Sequence, residues 1–176
     1  MNSMGKVTLI LGGARSGKSR YAEELALASG LSPVYIATAQ PLDDEISARI
    51  AQHKARRSGR GWREVEAPVD LSEAIRTEAG TGQILLVDCL TFWLTNLMVG
   101  GHDIAAESAT LFKCLAAARG DVILVSNEVG LSIVPENAMA RAFRDHAGRL
   151  HQDIATVAAT VLLMVAGLPI VIKSAS

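Results

Sequence analysis

Cysteine is almost missing from this chain. The two that occur, Cys89 and Cys114, stand far apart in apolar segments without C-x-x-C spacing. That excludes a disulfide framework or a zinc site and points to reduced, buried thiols. An excess of charge is missing too: 17 Lys and Arg against 18 Asp and Glu leave a net charge of -1. Basic residues are spread from Arg15 to Lys173, so no sequence-wide field draws in a polyanion and no nucleic-acid partner is expected. No apolar run is long enough to span a bilayer. The longest, Val157 to Ile172, is broken by Gly167-Leu168-Pro169 and fits a helix end followed by two short strands. Met1 to Gly5 is too short and too weakly apolar for a signal peptide, so a cytoplasmic location is expected. Repeats, low-complexity tracts and linkers are lacking. With 49% hydrophobic residues, the chain reads as one globular domain over 1–176 with a sizeable core.

What is present is alternation. β-type apolar runs recur at Val7 to Leu11, Val34 to Ala37, Ile84 to Val87, Val122 to Val125, Val161 to Val165 and Ile170 to Ile172. Helical spacing between them predicts helices at Lys18 to Ala28, Asp44 to Arg57, Leu71 to Glu78, Ile104 to Ala118 and Ala138 to Val157. This is the pattern of an α/β fold, a mostly parallel sheet flanked by helices. The unbroken hydrophobicity of Ile84 to Val87 and Val122 to Val125 marks central strands whose carboxyl ends line a ligand crevice. The last two runs are too close for a parallel crossover and predict a C-terminal antiparallel edge hairpin. Asp70 with Glu73 has capping-box spacing, Asn137 can cap the final helix, and 56–61 reads as mobile.

Gly12-Gly13-Ala14-Arg15-Ser16-Gly17-Lys18-Ser19 completes G-x-x-x-x-G-K-[ST] between the first strand and the first helix. Adjacent backbone N–H groups must curl around a phosphate, and glycine permits the close approach that this takes. Lys18 places a point charge on the β/γ oxygens and Ser19 offers a hydroxyl to Mg²⁺. The helix N-terminus adds its dipole. The chain is therefore expected to bind a nucleoside triphosphate.

Asp88 directly follows the buried strand Ile84 to Val87, where a Walker B acid would hold Mg²⁺. Capping the segment that begins at Leu90 is the alternative role. Glu128, after the fourth of these runs, could orient an acceptor hydroxyl or be merely solvated. A lone helical histidine is more often a surface or core group than a catalyst. At about 100° per residue, however, Ile46, Ile50, His53 and Arg57 share one face with Arg49 and Arg56 beside it. Such a setting lowers the histidine pKa and attracts phosphate oxygens, as a phosphorus-attacking imidazole requires. His146 and His151 diverge by about 140° and make no metal pair. Asp43-Asp44-Glu45 suits a first helical turn, and Trp62 and Trp93 read as packing residues.

Several strings together resemble the bifunctional adenosylcobinamide kinase / adenosylcobinamide-phosphate guanylyltransferase family. Beyond the phosphate loop they are Tyr35-Ile36-Ala37-Thr38-Ala39, Arg49-Ile50-x-x-His53-Lys54, Asp88-Cys89-Leu90-Thr91, Ser126-Asn127-Glu128-Val129-Gly130, Ile133-Val134-Pro135-Glu136-Asn137 and Phe143-Arg144-Asp145-x-Ala147-Gly148-Arg149. The resemblance implies a RecA-like P-loop sheet and a trimer. It implies phosphorylation of adenosylcobinamide by ATP or GTP, then transfer of GMP from GTP onto the phosphate through a guanylylated His53. It also implies nucleotide contacts from Ala37, Thr38, Ala39, Lys54, Ala55, Arg56, Arg57, Glu66 and Asp88. The chain departs from the family at Gln52, where a second histidine is common, and at His151, where asparagine is common. Without His53 the same residues would serve a P-loop kinase of another small alcohol. A non-catalytic GTP switch would need Asn-Lys-x-Asp, which is absent, while Asp145-His146-Ala147-Gly148 matches Asp-x-x-Gly only within a predicted helix.

Overall fold

A computed structural model describes residues 4–41 and 43–174. Among the described residues, seven strands form one sheet in the order β3-β2-β4-β5-β1-β6-β7. They are β1 (Val7–Gly12), β2 (Ser32–Ala37), β3 (Arg63–Glu66), β4 (Gln83–Asp88), β5 (Asp121–Asn127), β6 (Thr160–Val165) and β7 (Leu168–Lys173). Every neighbouring pair is parallel except β6 with β7, which turn back through Ala166 and Gly167 as the expected edge hairpin. β4 and β5 sit in the interior, and the continuous apolar runs that marked them as central are buried on both faces.

The helices that cover the sheet are α1 (Lys18–Ala28), α2 (Asp44–Arg57), α3 (Leu71–Glu78), α4 (Leu90–Val99), α5 (Ile104–Ala117) and α6 (Ala138–Val157). Strand side chains alternate between two cores. Leu9, Leu85, Val87 and Leu124 pack with residues of α3 to α6, among them Trp93, which is fully buried. Ile10, Leu86, Ile123 and Val125 pack with Ala22 and Ala26 of α1 and with Tyr35 and Trp62.

Two elements go beyond the sequence-based expectation. β3 carries three charges in four residues and pairs in parallel with β2 at an edge. α4 is apolar nearly all round, so no 3.6-residue stripe marks it. The caps divide as well. Asn137 accepts from Ala140 N at 2.7 Å, whereas the Asp70 side chain makes no cap hydrogen bond. Cys89, not Asp88, stands at the α4 cap position, which leaves the Asp88 carboxylate to other partners. Asp43 caps α2 by accepting from Ile46 N at 2.7 Å, the ordinary helix-start role anticipated for the acidic cluster.

Candidate active site

The phosphate loop joins β1 to α1 through backbone geometry that its glycines permit. A Cβ on Gly12 would stand 2.6 Å from Ser16 Oγ and 2.7 Å from Met164 O, so β1, the loop and β6 could not close together around a larger residue. Gly17 lies in the left-handed region at φ 94°, and its added Cβ would meet Gly167 Cα at 3.2 Å. Gly167 N in turn donates to Ser16 O at 3.0 Å, which ties the hairpin turn to the loop. Lys18 bends back to donate to Gly13 O at 2.5 Å. Ser16 Oγ is buried with no hydrogen-bond partner among the described residues, a polar atom held inside the turn where an anion would supply an acceptor.

A cleft of about 1330 Å³ opens over this loop. Ala14 to Ser19 form its floor, Ala37, Ala39 and Asp88 line it from β2 and β4, and Asn127 lines it from β5. α2 forms a wall, presenting Ile46, Ile50, His53, Lys54, Arg56 and Arg57, while Glu66 enters from β3. The face that gathered Ile46, Ile50, His53 and Arg57 in the sequence is thus the cleft face; the Arg49 side chain lies outside the described structure. Ala55 is exposed and stands outside the cleft.

At the centre, His53 Nδ1 lies 3.8 Å from Asp88 Oδ2, an ion-pair distance too long for a hydrogen bond. The Tyr35 hydroxyl donates to the same Oδ2 at 3.2 Å. Thr38, fully buried, holds the backbone beneath: its hydroxyl donates to Cys89 O at 2.7 Å and accepts from Cys89 N at 2.8 Å. The Thr38 side chain therefore braces the strand end that carries Asp88 rather than facing the cleft. Partial burial lowers the His53 pKa from 6.5; Asp88 opposes this, and the nearby Arg56 and Arg57 guanidinium groups reinforce it. Tyr35 is pushed well above the usual phenol range by burial and by Asp88. The cleft therefore favours a neutral imidazole, with Nε2 on the side of the ring away from the carboxylate.

Sequence reasoning missed what anchors α2. Glu23, buried on α1, accepts from Arg56 Nε and Nη2 at 2.8 and 2.9 Å. It also pairs with Arg57 Nη1 at 3.5 Å. Arg57, 3% exposed, donates from Nη2 to Glu64 Oε1 at 2.8 Å and lies 3.4 Å from the Tyr35 ring centroid. The segment read as mobile is thus pinned where it begins. Lys54 Nζ stands 3.8 Å from Glu66 Oε1. Glu23 had one local signal, a carboxylate on the apolar face of α1; the rest of the network joins residues distant in sequence.

Glu128 does not reach the cleft. Both its carboxylate oxygens accept from its own loop, from Gly130 N at 2.7 Å and Leu131 N at 3.0 Å. His151 Nε2 is 2.7 Å from Ser126 Oγ behind the cleft, and burial lowers its pKa. Cys89 is a buried thiol pushed up to about 11 by desolvation. Among the described residues, no cluster of three His, Cys, Asp or Glu could hold a metal ion, and no helix is long and apolar enough to cross a membrane.

Comparison with known proteins agrees with this architecture. The RadB recombinase matches with a TM-score of 0.52 at 15% identity, covering 92% of this chain and 74% of that one. A solved protein of Pyrococcus horikoshii matches at 0.56 and 11% identity, covering 97% and 87%. These likenesses concern the fold, a RecA-like P-loop sheet. The bifunctional adenosylcobalamin biosynthesis protein CobP of Pseudomonas aeruginosa is 52% identical over 167 residues, 94% of this chain and 96% of that protein. The protein CobU of Escherichia coli, of the same description, is 41% identical over 180 residues, covering 94% and 98%. A family model described as cobinamide kinase / cobinamide phosphate guanyltransferase matches residues 8–172, and the chain belongs to that family.

Proposed function

We propose that this enzyme catalyses two reactions at the one cleft. It phosphorylates the aminopropanol hydroxyl of adenosylcobinamide with ATP or GTP, then transfers GMP from GTP to that phosphate. The observation that carries the reading is that the His53 imidazole and Lys18 line a single cleft, with the imidazole beside Asp88 and its pKa lowered. In the kinase step the phosphate loop orients the triphosphate, and Lys18 offsets charge on the transferred phosphoryl group. In the second step His53 Nε2 attacks the α-phosphorus of GTP, the bond to the β-phosphate oxygen breaks and pyrophosphate leaves. A phosphate oxygen of cobinamide phosphate then displaces the imidazole from the GMP.

Mg²⁺ fits the donor set. The Ser19 hydroxyl and the Asp88 carboxylate are hard oxygen ligands lining the same cleft, and phosphate oxygens and water would complete the shell. When bound, the ion supplies neutralisation of phosphate charge. Ala37 and Ala39 are proposed to contact the nucleotide, as are Lys54, Arg56, Arg57 and Glu66; Thr38 and Ala55 could do so only by backbone or from outside the cleft. The resemblance gives a homotrimer. It is supported by β7, whose six residues are all exposed and which leaves an open edge bearing Leu168, Ile170, Val171 and Ile172. A cytoplasmic location is part of the same reading.

Incubation with α-labelled GTP tests the transferase half. The expected product is a covalent label that is acid-labile and base-stable, absent from His53→Asn, with nucleotide binding kept in the variant. Label that persists without His53, or no label on the unaltered enzyme, would leave a P-loop kinase alone.

A further inference from the structure

The connection from β5 to α6 is rooted in the phosphate loop, since Glu128 N donates to Gly12 O at 2.9 Å and Asn127, one residue earlier, lines the cleft. Both of its ends are fixed by polar groups. The Glu128 carboxylate holds the first turn, as described above, and Arg141 Nη1 holds the last by donating to Pro135 O at 2.9 Å and Glu136 O at 2.5 Å. Yet its large apolar side chains stand in water: Leu131 is 85% exposed, Ile133 93% and Val134 62%, with Met139 on the first turn of α6 at 70%. A loop clamped by hydrogen bonds does not need those side chains for its own conformation. Solvent exposure of four neighbouring apolar groups is unfavourable unless something covers them.

The chemistry at the cleft specifies what that is. In-line transfer requires the acceptor hydroxyl to meet the γ-phosphate at the cleft mouth, so the bulk of the acceptor molecule must lie on the surrounding rim. The acceptor in the proposed reaction is a corrinoid, a wide plate with methyl-bearing faces and an edge of amides. From these positions we infer that the segment 128–139 is the platform for the corrinoid ring, with Leu131, Ile133, Val134 and Met139 against one face. This inference rests on the two-reaction reading for the identity of its ligand.

Adenosylcobinamide is coloured, so equilibrium dialysis reads its binding directly, without turnover. The double variant Ile133→Ser, Val134→Ser is expected to bind about tenfold or more weakly, the loss that follows when two buried aliphatic contacts are removed. Its self-guanylylation and sedimentation mass should match the parent. Val99→Ser is the control, because Val99 is 78% exposed at the far end of α4, which runs back from the carboxyl edge; its binding should not change. Unchanged affinity in the double variant overturns the platform, as does weakened binding accompanied by a fall in solution mass, which makes the loop a contact between copies. An unaltered enzyme that fails to bind the corrinoid also overturns it. One that binds the corrinoid but turns none over removes the proposed reactions and leaves the platform standing.

Discussion

Tyr35 shows how one hydroxyl connects the site to its support. Its ring lies under Arg57 and its oxygen donates to Asp88, the carboxylate facing His53. Tyr35→Phe keeps the ring and removes only that donor to a charged acceptor. Guanylyl transfer is expected to fall by about tenfold in single-turnover labelling, with little change in melting temperature. The pH dependence has a definite sign. In the proposed transfer His53 has to be neutral to attack, and its pKa is lowered from 6.5, so labelling should stay at full rate through neutrality and decline only at a midpoint under 6.5. Asp88→Asn removes the carboxylate that favours the imidazolium form, so the midpoint should move lower still, whatever happens to the maximal rate. The residues of the phosphate loop were legible because their chemistry is contiguous. Tyr35 was not, since its two partners are 22 and 53 positions away.

At the level of elements, α2 is positioned by charge more than by apolar packing. Its C-terminal arginines converge on the buried Glu23 of α1, so the helix carrying His53 is fastened to the helix that begins with Lys18. Glu23→Gln leaves two guanidinium groups short of a partner, one of them deeply buried. A destabilisation of about 3 kcal/mol is expected, read as a fall of roughly 6 to 12 °C in thermal unfolding, with labelling slowed at temperatures where the fold is intact. The hydrophobic pattern exposed most of the layout, including the interior strands β4 and β5 and the terminal hairpin. It failed at β3 and α4 for opposite physical reasons. β3 is so polar that only its pairing with β2 makes it a strand, and α4 is so apolar on nearly every side that no stripe stands out to give it a period.

For the molecule as a whole, the sheet is finished on one side and open on the other. β3 is short and charged, features that discourage edge-to-edge association, whereas β7 presents a longer apolar margin. Sedimentation equilibrium is expected to give the mass of a trimer. Val171→Lys, on the exposed edge, should shift it toward the single chain without weakening nucleotide binding. The contact between Gly167 and the Ser16–Gly17 turn has a different implication, for biogenesis. A nascent polypeptide carries the whole nucleotide signature once Ser19 is added, but the neighbour that closes the turn, Gly167, is not synthesised until some 150 residues later. A ribosome-bound fragment ending before β6 would therefore display the motif without the pocket, and GTP would act as ligand only once the hairpin at Gly167 has been added.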